Sequence, residues 1–403
     1  MVKRQYDWEN GATIGQHSKI KLEIIKEYIH EYVRVRCSLP QQERFRLSFV
    51  DGFSGAGSYE CGTLGSPMVV LQTLKSVSAE VNLRRAIAGF KPISFEFYMY
   101  FNDLSPVAIR TLQVSVDGFL QEHRDDDNNA MFCVRYFEGD FGRNLPSISQ
   151  MVLASKVRNT IFNLDQYGYA DVSEEHLRTA LSLTRSSEVF LTFSIKSFLA
   201  FISPARRQGT RIFDGQISDI SLHKTKKEWL AAVEKVVFEE FQTLANFVSP
   251  FSINNQSGWE YWLVHFANSF RARQVYNDIL HRKKNSQAHV GRSGLQMLRY
   301  NSIEDASLYL FDANSRRGAR DELYYDIPKF LADCTPEASL SVADFFDQTY
   351  NQTPAHSDDL NSALIRSPDV EVLTATGGKR RKPKMIKRTD RIRLAPQKTF
   401  HFL

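Results

Sequence analysis

Apolar residues at Ile20, Leu22, Ile24, Ile25, Tyr28, Ile29 and Tyr32 recur at helical spacing, which predicts an amphipathic helix running to about Cys37 with Ser18 as its cap. The period then changes. Phe45 to Val50 is rich in β-formers and ends in Asp51 and a turn with glycines at 52, 55 and 57, so it reads as a strand feeding a loop. Helical spacing covers about 66–89, after which Phe95 to Phe101 is apolar enough for a buried strand, closed by Asn102-Asp103. A helix near 105–121 is followed by a polar turn at Asp125 to Asn129. Next come a strand from Phe132 to Phe137 ending in Gly139-Asp140-Phe141, and a short helix to about Leu153. Thr160 to Leu164 leads into Asp165-Gln166-Tyr167-Gly168-Tyr169, a helix spans about 174–184, and Glu188 to Phe193 is a fifth strand. Alternating strands and helices predict a doubly wound, mostly parallel α/β sheet, whose ligands lie beyond the carboxyl ends of the strands near the topological switch point.

Residues 196–290 read as a mainly helical insertion or lid, with long helices at 226–247 and 259–282. Gly294 to Arg299 and Leu308 to Phe311 are the candidate late strands, placing completion of the core sheet at 291–320 and the core itself at 1–195. Beyond 320 the texture becomes three short helical patterns, Asp326 to Cys334, Ser341 to Tyr350 and Ser357 to Ile365. Val370 to Thr374, a Gly377-Gly378 turn with a basic run, and Asp390 to Leu394 follow. Helices followed by a basic-tipped hairpin predict a winged-helix-like domain at 321–403.

A length of 403 residues supports two to three domains at roughly 150 residues each. The 42% hydrophobic, 12% aromatic and 24% charged composition excludes disordered, collagen-like and coiled-coil classes. No apolar run approaches the ~20 residues of a membrane span, and Met1 to Asn10 is polar, so the expectation is a soluble, cytoplasmic chain without a membrane partner. Cys37, Cys61, Cys133 and Cys334 are too scattered for a zinc site or a disulfide scaffold. Net charge is only +5, yet residues 379–393 hold nine basic side chains against one acidic. Lys379, Arg380, Arg381, Lys382, Lys384, Lys387 and Arg388 are the candidate phosphate contacts to nucleic acid. A solvated wing, or a surface for an acidic protein, is the plain alternative.

The candidate chemistry sits at the strand ends. Asp51-Gly52-Phe53-Ser54-Gly55-Ala56-Gly57 lacks the Gly-Lys-Ser/Thr of a phosphate loop and the Gly-x-Gly-x-x-Gly of a dinucleotide site. An acidic residue followed by a glycine-rich turn is instead the pattern of S-adenosylmethionine-dependent methyltransferases: the Asp51 carboxylate faces the cofactor's cationic end, and bare backbone lets the nucleoside approach. A ligand-free tight turn is the alternative. Asn102 and Asp103 stand where a ribose-binding carboxylate belongs, about fifty residues past Asp51 instead of about twenty. Asp140 is placed to accept from an adenine amino group, with Phe141 on the ring. Asp165, Gln166 and Tyr167 lie where amino-methyltransferases carry an (Asp/Asn)-Pro-Pro-aromatic turn that grips the acceptor; helix capping and packing are the alternative for each. No histidine pair suggests a metal and no Gly-x-Ser-x-Gly elbow occurs, although strand-end carboxylates gathering Mg²⁺, as in a nuclease, compete with the cofactor reading.

Taken in order, these residues resemble the three-Cys-motif partner proteins (TcmP), bacterial and mobile-element proteins with a methyltransferase-like fold. The likeness lies in His17-Ser18-Lys19 leading into Lys21-Leu22-Glu23-Ile24, and in Val50 through Gly57 with the trailing Gly62 and Gly65-Ser66-Pro67. It continues in Asn163-Leu164-Asp165-Gln166-Tyr167-Gly168 and Asp390-Arg391-Ile392-Arg393-Leu394. Members commonly show Asp-Pro-Phe-Gly where this chain has Asp165-Gln166-Tyr167-Gly168. The resemblance implies a Rossmann-like methyltransferase fold, a partner bearing a three-cysteine motif, and a role in defence or modification. It leaves open an active enzyme or a degenerate fold serving that partner as a binding or regulatory subunit.

Overall fold

The structure, a computed structural model, describes residues 8, 12–124, 129–195, 197–198, 235–253, 261–297, 308–334 and 339–396. Its contacts divide the chain into two compact units, Met1–Gly215 with Thr243–Ile279, and Gln216–Gln242 with Leu280–Leu403.

In the first unit, strands β1 (Arg44–Asp51), β2 (Ser94–Asp103), β3 (Ala130–Glu138), β4 (Asn159–Leu164) and β5 (Ser186–Ser194) alternate with helices α1 (Gln16–Arg36), α2 (Ser66–Ile87), α3 (Pro106–Glu122), α4 (Phe141–Ala154) and α5 (Glu174–Ser182). With β6 (Phe247–Ile253) and β7 (Tyr261–Ala267), the strands lie in the order β3-β2-β1-β4-β5-β7-β6. β1 to β5 are parallel, and β7 runs antiparallel to both its neighbours. Leu47, Phe49 and Val50 of β1 and Ile161 and Phe162 of β4 are buried, the near-continuous apolar run that a central parallel strand with both faces covered requires. Because β2 lies on one side of β1 and β4 on the other, the winding reverses at β1/β4, and loops leaving their carboxyl ends diverge around a crevice.

Local chemistry sets the helix starts. Ser105 caps α3 by accepting from Ala108 N–H, Asp140 caps α4 through Arg143 N–H, and Ser173 and His176 form a reciprocal capping box at α5. α1 begins at Gln16, ahead of the expected cap; Ser18 is buried within it, and the N-cap Gly15 offers no side chain.

The insertion departs from its helical expectation. β6 and β7, inside 196–290, extend the sheet where helix was expected, and Leu308–Tyr309, from the stretch expected at 291–320, is a strand too. Tyr261 to Ala267 is a short apolar run, which helical and strand periods fit equally; its aromatic and β-branched content favours the strand. Pro250, which withholds a ladder donor, disguises β6. Helix resumes at Phe270–Lys283. Residues 226–234 of the expected helix and 125–128 of the expected turn lie outside the described residues.

In the second unit, Gln287–Val290 pairs with Leu308–Tyr309. The segment expected as a strand at Gly294 is instead an irregular turn, because Glu322 and Asp326 accept the backbone N–H groups of Ser293, Gly294 and Leu295. Residues 298 and 299 of that expected strand lie outside the described residues. A helix at Ala313–Cys334, longer than expected and carrying Pro328, precedes helices Val342–Thr349 and Ser357–Arg366. A three-stranded antiparallel sheet places Arg391–Leu394 between Leu340–Ser341 and Val370–Leu373. Buried Asp359 accepts from Arg316 and Arg320 at 2.7–2.9 Å, which ties the long helix to Ser357–Arg366 and holds the carboxyl below its ordinary range despite burial. No described helix is long and apolar enough to cross a membrane.

Candidate functional site

Loops from the carboxyl ends of β1 to β4 are stitched together at the switch point. Gly52 N–H donates to Asn163 O (2.9 Å), Ser54 N–H to Asn102 O (2.8 Å), and Gly139 N–H to Asp103 O (2.9 Å). The buried amide of Asn102 donates to Gly52 O (3.0 Å) and Gly139 O (3.2 Å) and accepts from Asn144 (2.8 Å). Asn102 is therefore a brace between three loops.

Asp51 is fully buried at the end of β1. Ser66 Oγ (2.6 Å) and Asn163 Nδ2 (3.1 Å) donate to its Oδ2, and Phe53 N–H (3.3 Å) donates to Oδ1. Burial dominates those bonds and pushes the carboxyl up to about 7, so a cation brought against it gains an anion that water no longer screens. Ser54, the next side chain along the loop with an oxygen, is buried with its Oγ lacking a partner. A polar group of a ligand, or a water, would satisfy that hydroxyl.

The glycine turn is tighter than the sequence implies. Gly55 (φ +61°) and Gly57 (φ +83°) hold left-handed backbone that a side chain would strain. A Cβ at Gly52 would stand 2.8 Å from Leu164 Cδ2, and one at Gly57 would stand 2.7 Å from Leu112 Cδ1. The bareness of Gly52 and Gly57 thus serves internal packing, while Phe53 lies 5.9 Å from buried Phe141.

Asp103 accepts Gly55 N–H through Oδ2 and Ser105 N–H through Oδ1, both at 2.8 Å; burial nevertheless raises its pKa. It fixes the glycine turn and retains lone pairs for a ligand hydroxyl. Asp140 is spent as the α4 cap, accepting from Arg143 N–H at 3.0 Å. Phe141 is buried beneath Gly52 and edge-on to His176, and not on an open face.

At the end of β4, Asp165 Oδ1 is ion-paired with Lys21 Nζ. Lys21 is buried in α1, and its ammonium also reaches Thr192 Oγ1 at 3.4 Å. The Asp165 side chain is 33% exposed and that of Lys21 only 6%, so the carboxylate is clamped from within and presented outward. Gln166 turns inward: its Oε1 accepts Asp171 and Val172 N–H (3.0 Å each), and its buried Nε2 lacks a partner. Gln166 therefore latches its own loop and leaves one donor unspent. Tyr167 is 49% exposed beside them.

Lys21, Ser66 and Asn163 are site residues that residue-by-residue reasoning passed over. Their only trace in the sequence is their place in the ordered motifs. Among the described residues no group of three or more His, Cys, Asp or Glu side chains is placed to hold a metal ion.

The basic hairpin of the second unit is partly neutralised. Lys379 pairs with Glu371 (3.0 Å), Arg388 with Asp347 (3.5 Å), and Arg380 grips buried Asp390 at 2.8 and 3.0 Å. Arg380 is a strut of the hairpin, and Asp390 is held below its ordinary range by it. Arg381, Lys382, Lys384 and Lys387 are exposed at the tip, as are the ion-paired Lys379 and Arg388.

No protein-family model and no curated protein sequence matches the chain. Three solved structures are similar in part, two of them O-methyltransferases by description. One is a Klebsiella pneumoniae protein assigned as an O-methyltransferase, at 10% identity over 66% of this chain and 93% of that one, with a TM-score of 0.30. The other is the O-methyltransferase TomG of Streptomyces achromogenes, involved in tomaymycin synthesis and solved in complex with S-adenosylmethionine, at 11% identity over 67% and 93%, with a TM-score of 0.30. Superposition that loose adds nothing to the strand order and the site geometry, which carry the reading on their own.

Proposed function

We propose that the first unit is a methyltransferase that uses S-adenosylmethionine. The observation that carries this is buried Asp51, raised to about 7, beside the unpartnered Ser54 hydroxyl at the switch point of a doubly wound sheet. These residues fit the cofactor's aminoacyl end: Asp51 offers an unscreened anion to the ammonium, Ser54 a donor to the carboxylate, and Asp103 acceptor capacity to the ribose. When bound, the cofactor supplies an electrophilic methyl group.

The chain's own part is positioning. Lys21 pairs with Asp165 and fixes its direction, so the carboxylate can accept the hydrogen bond of an acceptor O–H or N–H. Tyr167 offers a flat face to a planar acceptor, and Gln166 holds the loop that carries both.

The acceptor we favour is nucleic acid. The order of helices and strands in the second unit supports a winged-helix reading, with Arg381, Lys382, Lys384 and Lys387 at the wing tip as the phosphate contacts. The resemblance of the ordered motifs adds a three-Cys-motif protein as partner in a bacterial defence or mobile-element system. Incubating the full chain with radiolabelled S-adenosylmethionine and DNA, RNA or protein acceptors, with and without that partner, tests this. Label on nucleic acid supports the reading; label on protein alone removes the nucleic-acid part.

A second reading, a degenerate fold serving as the partner's binding subunit, is favoured by the Gln166 latch, which puts a structural amide where an acceptor-gripping turn was expected. Cofactor binding without transfer to any acceptor would select it.

A further inference from the structure

We infer that the indole of Trp8 occupies the ligand face of the Gly55 turn and must be displaced for the cofactor to bind; this rests on the cofactor reading above. Of the three turn glycines, Gly52 is backed by Leu164 and Phe141, and Gly57 by Leu112 and Met68, all from strands and helices that wall the crevice. Gly55 differs. A Cβ there would stand 2.7 Å from Trp8 Cη2 and Cζ2, so the ring lies directly on the glycine backbone. The N–H of Gly55 is already given to Asp103, which leaves the bare Cα face as its remaining surface of approach. A nucleoside that uses that face must share it with a six-membered ring already in contact.

Trp8 and Ala12 both lie near this turn. Glu60 N–H donates to Ala12 O at 3.0 Å, and the Trp8 ring lies 6.0 Å from Tyr59 at 44°. Trp8 is half-buried, so it covers the turn without being a core residue. A half-buried aromatic ring gives up its contact at a fraction of what full burial contributes, so ligand competes with it at moderate cost.

Titration of the full-length chain with S-adenosylhomocysteine tests this against Trp8→Ala and Trp8→Phe. Removing the cover should tighten binding roughly tenfold for Trp8→Ala, equivalent to about 1.4 kcal/mol, with Trp8→Phe between the two. Ligand should also shift wild-type tryptophan emission to the red as the indole moves into water, and that shift should vanish in Trp8→Phe, which keeps the chain's three other tryptophans. Equal or weaker binding by Trp8→Ala, or a blue shift, overturns the inference, because the indole then stands clear of the ligand or stacks on it. Absence of binding by wild type and both variants overturns the cofactor reading itself and this inference with it.

Discussion

Replacing Asp51 with Asn isolates the conflict between stability and binding that the site implies. In the folded chain burial raises Asp51 from 3.8 to about 7; unfolded, it titrates at its ordinary value. Between about pH 4 and pH 7 the folded state therefore holds a proton that the unfolded state has released, so stability falls as pH rises through that window and levels off above it. At 1.36 kcal/mol per pKa unit, the interval corresponds to about 4 kcal/mol. Asparagine keeps the shape and the acceptor oxygen but cannot ionise. The bonds from Ser66 and Asn163 are already contained in the value of about 7, and asparagine puts an NH2 donor where one carboxylate oxygen accepted, which offsets part of the gain. Asp51→Asn should thus be more stable than wild type by about 2–4 kcal/mol at pH 8, by less at pH 6, and by nothing at pH 4. Urea unfolding followed by circular dichroism at the three pH values measures it, with the two units allowed separate transitions. A difference that stays flat with pH, or a wild type more stable at pH 8, refutes the argument: Asp51 would then be ionised and compensated in the folded chain.

Other consequences are open to measurement. Ser54→Ala removes a buried hydroxyl without a partner, so it should leave stability unchanged or raise it by about 1 kcal/mol while weakening S-adenosylhomocysteine binding in calorimetry. Lys21→Met leaves Asp165 without its cation and should destabilise the first unit by roughly 1–3 kcal/mol in chemical denaturation, with Lys21→Arg restoring most of it. Arg380→Ala leaves buried Asp390 without its guanidinium and should lower the urea midpoint of the second unit's transition. Neutralising Arg381, Lys382, Lys384 and Lys387 to Gln should spare stability, yet reduce the slope of log binding constant against log salt for duplex DNA by about 3 to 4.

The first five strands and their helices were legible because apolar runs such as Phe95 to Phe101 are local signals, and their alternation dictates a doubly wound sheet. β6 and β7 were not, since Tyr261 to Ala267 fits either period and only pairing with β5 decides it. Asp51 was legible from its place before the glycines. What sequence could not give was its company: Lys21 and Asp165 are 144 residues apart, and Asn163 reaches Asp51 across 112, so their roles exist only once the sheet brings them together. The glycines have a use that sequence did not show, because the missing side chains at Gly52 and Gly57 also make room for Leu164 and Leu112. Net positive charge in the hairpin was plain to read, whereas the pairing of Arg380 with Asp390 depends on the strand register.

Calorimetric titration of the purified chain with S-adenosylhomocysteine, alongside Asp51→Asn, tests the central claim most directly. The account predicts micromolar binding by wild type and its loss in the variant, although the variant is the more stable protein at pH 8. Wild-type binding that Asp51→Asn leaves intact, or no binding by wild type, contradicts it.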